Sequence, residues 1–181
     1  MSLIAVESRE GRLAFENATR VGVVAALSAT TMLFGSLASA YLVRRSFADW
    51  RPEFASWPLL LLTFASLTSL GMEAASRSQG AWRRRAFLAV LGASAAYLLG
   101  ACAVISSTFT SRGALASPHL AFVALLLSLH VGHAVLGASF TIWILHPNQA
   151  ASPARLFLAR LVTHFLTALL FAIVLLLFGL P

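Results

Sequence analysis

The sequence predicts an all-α integral membrane bundle of five transmembrane helices, and three observations carry that expectation. Of the 181 residues, 59% are hydrophobic, and the mean hydropathy is +0.85, a balance foreign to soluble domains. The apolar residues fall into five runs, each long enough for the roughly 20 helical residues that a bilayer requires. No short alternating strands of the barrel type occur, and lipid offers the backbone no hydrogen-bond partner, which leaves helices.

The first 19 residues, Met1 to Thr19, are mixed polar, with Glu7, Arg9, Glu10, Arg12 and Glu16. They lack the apolar core and small-residue cleavage site of a signal peptide. They are expected to form a cytoplasmic N-terminal segment ahead of a membrane domain at 20–181. The first span is placed at Val21–Val43 and is rich in small residues, Gly35, Ser36, Ala38, Ser39 and Ala40. Small residues let membrane helices approach closely, so this stripe is expected to pack. The second span is placed at about Trp57–Ala75, after a link bearing Trp50 and Pro52. The third, about Ala86–Thr108, follows a link with Gly80 and the triplet Arg83-Arg84-Arg85, and its Gly92 to Ala96 are again small. Its Cys102, the one cysteine, can form no internal disulfide and is expected to be an inert buried thiol. The fourth span is placed at His119–Leu145 and the fifth at Leu156–Leu180. The fifth ends in Ile173-Val174-Leu175-Leu176-Leu177-Phe178, which has no polar side-chain atom and is expected to face lipid. The links are short, so consecutive helices are expected to be antiparallel neighbours.

The net charge of +7 comes from 13 arginines, no lysine and six acids. Because the arginines sit at the ends of apolar runs, the basic balance reads as topology and headgroup contact, not nucleic acid. With the N-terminus cytoplasmic, the inner side carries Arg9, Arg12, Arg20, Arg77, Arg83, Arg84, Arg85, Arg155 and Arg160. The outer side carries Arg44, Arg45, Arg51 and Arg112. The bias favours a cytoplasmic N-terminus and an outward C-terminus.

The fourth span holds the stretch that organises the chain, His130-Val131-Gly132-His133-Ala134-Val135-Leu136-Gly137. Residues three apart share a helix face, so both imidazoles are expected to turn inward beside the gap left by Gly137. The other ionisable groups inside spans are Glu73 and His164, both toward the cytoplasmic side, with Glu73 expected to pair with Arg77 one turn on. Thr30, Thr31, Ser66, Thr68, Ser69 and Thr167 are expected to bond back to their own helix carbonyls. Two histidines on one helix do not make the usual two-sided haem clamp, and one carboxylate near an interface does not make a proton path. No catalytic triad, zinc motif, phosphate loop or dinucleotide fingerprint is present.

These residues also carry a likeness. The string His130 to Gly137 resembles the His-x-x-His-x-x-x-Gly of subunit III of the haem–copper respiratory oxidases. Arg20-Val21-Gly22, Phe34 and Ala40-Tyr41 are similar to that family's Arg-x-Gly, Phe and Ala-Tyr pattern. Leu91-Gly92 and His164-Phe165 resemble pieces of its third and last spans. The order is right across nearly all of the chain from Arg20 onward. Departures are specific: Thr30 stands for a buried glutamate, Leu99 and Cys102 for a glutamine and a glutamate, and Thr163 and Thr167 for a tryptophan and an aspartate.

The resemblance implies a five-helix, subunit III-like chain that is non-catalytic, structural and lipid-binding. It would sit beside catalytic subunit I, and subunit II, of a bacterial cytochrome c oxidase-type complex in aerobic electron transport. It would hold phospholipid and no cofactor of its own, with haem and copper in the partner. Arg20, His130, His133, Gly137, His164 and Phe165 would serve lipid binding or helix packing, with both imidazoles lining one cleft, and none would be catalytic or metal-binding. The expected location is the bacterial inner membrane. The alternatives are an accessory subunit of a nitric oxide reductase system, or an independent small membrane transporter.

Overall fold

The computed structural model describes residues 3–50, 56–111, 117–144 and 153–179. Five helices account for nearly all of them: α1 (Leu3–Arg45), α2 (Trp57–Arg77), α3 (Gly80–Ser111), α4 (Pro118–Ile144) and α5 (Pro153–Val174), which runs into a π-helical turn at Leu175–Gly179. Each contains a stretch long and apolar enough to cross a bilayer: Ala14–Arg45, Trp57–Arg77, Gly80–Thr110, Pro118–Trp143 and Pro153–Gly179. No strand occurs among the described residues. The chain is an all-α, multi-pass membrane bundle. Arg51, Arg112 and the link residues Pro52, Pro147 and Asn148 lie outside the described residues.

Proline marks three starts. Pro58, Pro118 and Pro153 sit in first turns, where the missing N–H costs nothing and the fixed φ suits a helix. The α2–α3 link is two residues, Ser78 and Gln79, closed by Gly80 at φ +56°, a conformation that a Cβ would strain. That short link makes α2 and α3 the most intimate pair, with Gly71 against Val90 Cγ2. The polar segment before the first span is not separate from it: α1 is helical from Leu3 onward.

Helices α2, α3, α4 and α5 form a closed ring in which α5 lies between α2 and α4. Helix α1 departs from the expectation for consecutive helices. It rests on α4 and α5 instead of on α2, its sequence neighbour. The link 46–56 is long enough for that diagonal step, since an extended chain spans about 3.4 Å per residue.

The packing contacts also differ from those the small residues suggested. Gly22 and Gly35 of α1, and Gly92 of α3, have nothing within 4 Å of a built Cβ, and Ser36 and Ser39 are exposed. Close approach falls instead at Gly71, Gly100 and Gly137. Composition identifies where a helix is thin, and the neighbour decides whether that thinness is used.

Three buried clusters stack through the depth. Val23, Met72, Val90 and Val162 pack toward the arginine-rich end. Leu61, Tyr97, Leu127 and Leu170 pack at the centre. Phe34, Tyr41, Leu126, Ile173 and Leu177 pack toward the other end. The last cluster corrects the lipid-facing reading of 173–178 for two of its residues, while Leu175 stays 62% exposed. Ile173 and Leu177 are buried, and the Tyr41 hydroxyl donates to the Leu177 carbonyl at 3.3 Å. Lipid tails are as apolar as leucine, so hydropathy alone cannot separate a lipid-facing residue from a buried one. Cys102 is corrected in the other direction: it is exposed on the outside of α3, while Ala101 beside it is fully buried.

Candidate functional site

The functional residues expected from sequence divide among three places. His130 is the innermost, at 2% exposure. Its Nε2 lies 2.9 Å from the carbonyl of Leu166 on α5, and its Nδ1 lies 2.5 Å from the Tyr97 hydroxyl on α3. A carbonyl can only accept, so the network assigns the proton to Nε2 and leaves Nδ1 to accept from Tyr97. The neutral ring is then satisfied at both nitrogens and ties three helices together. Its ring also meets Tyr97 edge-on at 5.7 Å. An imidazole engaged in this way is a clamp between helices.

His133 belongs to a different space. Its Nδ1 donates to its own helix at the Leu129 carbonyl, 2.8 Å away, and its ring stands edge-on to Phe34 at 5.6 Å. It lines a cleft of about 390 Å³ between α1, α4 and α5, whose walls include Leu27, Thr30, Phe140, Phe165 and Leu166. The one-cleft expectation for the two histidines is therefore corrected. His130 lines a separate cavity of about 80 Å³ inside the α2–α5 ring. Residues three apart on a helix still differ by about 60° around the axis. Helix α4 is packed on both flanks, by α3 on one and by α1 and α5 on the other. That rotation is enough to send the two rings to opposite sides of the α4–α5 seam.

Gly137 sits on the seam and lines both spaces. A Cβ there would stand 2.6 Å from Leu166 Cδ1 and 3.2 Å from Val162 Cγ1, so glycine sets the α4–α5 separation. Phe165 lines the outer cleft. Arg20 is exposed on α1, next to Thr19 at one end of that cleft.

His164 joins a third group. Its Nδ1 meets Ser69 Oγ in a short hydrogen bond across the α2–α5 seam. Its Nε2 lies 3.5 Å from Glu73 Oε2. Glu73 pairs with Arg77 at 2.6 Å, as expected from sequence, and also with Arg160 at 2.8 Å. Ser69 is thus a bridge to α5, not a back-bonding hydroxyl. Thr30, Thr31 and Thr68 do bond back, at 2.9 Å each. Thr167 reaches both its own Thr163 carbonyl at 3.0 Å and the Ala65 carbonyl at 3.2 Å.

Three participants were missed from sequence. Tyr97 carried a signal, because a phenol in the middle of a span needs a hydrogen-bond partner. Arg160 stands one turn before His164, on the helix face that meets Glu73. His119, at the start of α4, is fully buried with its ring edge-on to Trp50 at 5.4 Å and to Phe178 at 5.7 Å. Among the described residues no group of three His, Cys, Asp or Glu side chains is placed to share a metal ion. Comparison with family models, with curated proteins and with solved structures gives no match for this chain.

Proposed function

We propose that the chain is a non-catalytic, lipid-holding subunit of a bacterial haem–copper terminal oxidase, of the subunit III kind, seated beside the catalytic subunit. The observation that carries the reading is the open cleft of about 390 Å³ between α1 and the α4–α5 pair, where Thr19, Thr30 and His133 stand in otherwise apolar walls that include Phe165. A loosely attached first helix and a tight four-helix ring make a natural clasp for acyl chains. The family likeness in the His130–Gly137 string supports the oxidase as partner. The ends of the helices support a cytoplasmic N-terminus. Arg20, Arg77, Arg83, Arg84, Arg85, Arg155 and Arg160 belong to one end of the bundle, and Arg44 and Arg45 to the other. Haem and copper belong to the partner in this reading.

Deletion of the chain tests the proposal. Membranes without it should begin oxygen uptake at the normal rate and lose that activity faster during continuous turnover. Unchanged duration and rate in such membranes would count against the assignment.

A further inference from the structure

The cavity inside the α2–α5 ring has no role in that reading, and hydroxyl groups interrupt its largely apolar wall. We infer that it is a hydrated vestibule, which takes a small cluster of water molecules and connects the Tyr97–His130 pair with the arginine-rich end of the bundle. Every helix of the ring contributes a hydroxyl: Thr68 from α2, Ser94 and Tyr97 from α3, Thr141 from α4 and Thr163 from α5. A chain surrounded by lipid could have filled this space with leucine and valine. Polar side chains within a span turn toward the bundle interior or toward water.

The hydrogen-bond capacities fit water. Thr68 and Thr163 have given their protons to Phe64 and Ala159 carbonyls, at 2.9 and 2.8 Å, and retain acceptor lone pairs. Tyr97 has given its proton to His130 and also retains an acceptor. Ser94 and Thr141 make no hydrogen bond among the described residues, so their donors are still available. The wall offers donors and acceptors together, which a molecule with two of each can bridge. A volume of about 80 Å³ accommodates roughly five waters, at ~15 Å³ of such volume for each. At about 80 Å³ against about 390 Å³ the space is much smaller than the outer cleft. Thr141 lies one turn from the end of α4, and His130 lies eleven residues deeper, about 16 Å along the axis. A water file over that length gives the central imidazole proton contact with the arginine-rich end. His133, the titratable neighbour on the same helix, faces the other cleft. Glu73 and Arg77 from α2, and Arg155, Arg160 and His164 from α5, are the charged or titratable groups of those helices at the arginine-rich end. On α3, Arg83, Arg84 and Arg85 stand at the arginine-rich end, and Cys102 faces outward.

The chain carries its own control for a test. It has two tyrosines, both buried: Tyr97 on the cavity at 4% exposure, and Tyr41 away from it at 1%. X-ray radiolysis in ¹⁸O-labelled water generates hydroxyl radicals from bound water and oxidises the nearest side chains. The full chain, in detergent or in vesicles, should show Tyr97 oxidised at least five-fold faster than Tyr41. Met72, which also lines the cavity and is otherwise fully buried, should incorporate ¹⁸O as well. Ala134→Leu, which fills the space, should bring Tyr97 down to the Tyr41 rate while leaving Tyr41 unchanged. Equal rates for the two tyrosines in the natural chain overturn the inference. If Ala134→Leu raises the Tyr41 rate, packing has loosened, and Ser94→Val takes its place with the same required fall at Tyr97. A Tyr97 rate that neither variant lowers also overturns it.

Discussion

The Tyr97–His130 hydrogen bond can be isolated by a double-mutant cycle. Tyr97→Phe removes only the hydroxyl, and His130→Leu removes both ring nitrogens. The contact is 2.5 Å long, and its partners are 4% and 2% exposed, so neither lost group can turn to bulk solvent, and only the small cavity beside them could supply a substitute. Tyr97→Phe should cost about 1–2 kcal/mol, because it leaves Nδ1 without its donor. His130→Leu should cost about 2–3 kcal/mol, because the Tyr97 hydroxyl and the Leu166 carbonyl each lose a partner. Side-chain hydrogen bonds within membrane bundles couple by about 0.6 kcal/mol on average and about 1.7 at most. Burial at both ends places this pair in the upper part of that range, at about 1–1.7 kcal/mol. The double variant should therefore be more stable than the sum of the single changes by that amount. Reversible unfolding in mixed micelles, titrated with a denaturing detergent, measures all four corners of the cycle. Additivity to within about 0.3 kcal/mol would refute the clamp, since residues in contact are expected to couple.

Glu73→Ala should destabilise the bundle more than Arg160→Ala, which in turn should cost more than Arg77→Ala, at about 0.5 kcal/mol or less. The order follows exposure, since the Arg77 side chain is 76% exposed and Arg160 only 37%; a larger loss at Arg77 in the same unfolding assay would contradict it. Gly137→Leu should force Leu166 and Val162 apart and cost about 2–3 kcal/mol as overpacking, with weakened retention of any partner in pull-downs. His133→Leu loses a bond to its own helix and an edge-on contact with Phe34 that leucine partly replaces, so stability should shift by about 1 kcal/mol or less, while native mass spectrometry should report a changed lipid complement. On the far side of the bundle, the Arg44 guanidinium holds the Asp49 carboxyl below its ordinary range through a short ion pair. Its folded pKa is depressed, so its contribution is complete above the ordinary carboxyl range near pH ~4 and is lost as pH falls through the folded pKa. Asp49→Asn should remove that segment of the acid-unfolding curve by lowering the neutral plateau to the level that the natural chain reaches once Asp49 is protonated.

Spans and their number were legible because bilayer thickness converts directly into length and hydropathy. Inward orientation of His130 was legible too, since a polar ring at mid-depth has only the bundle to turn toward. The angular details were not. Whether residues three apart share a space depends on where neighbouring helices touch α4, and no pattern along α4 encodes that. Gly35 and Gly137 look alike in sequence, yet one meets open space and the other meets Leu166. The Ile173–Phe178 stretch read as lipid-facing because lipid and protein interior have the same polarity. Its π turn rotates Leu177 toward Tyr41, and only the packed structure contains that rotation. Arg160 escaped notice because its partner lies on another helix, 87 residues earlier in the chain.

The proposed place of this bundle is the flank of a respiratory oxidase. Purification of the tagged chain from its native membranes in mild detergent, followed by mass spectrometry and an absorbance spectrum, tests that most directly. The account predicts a haem-bearing catalytic subunit in roughly equal amount, with the haem bands unaffected by His130→Leu or His133→Leu. Recovery of the chain alone, active in transport when placed in liposomes, or haem bands that vanish with either histidine, would contradict it.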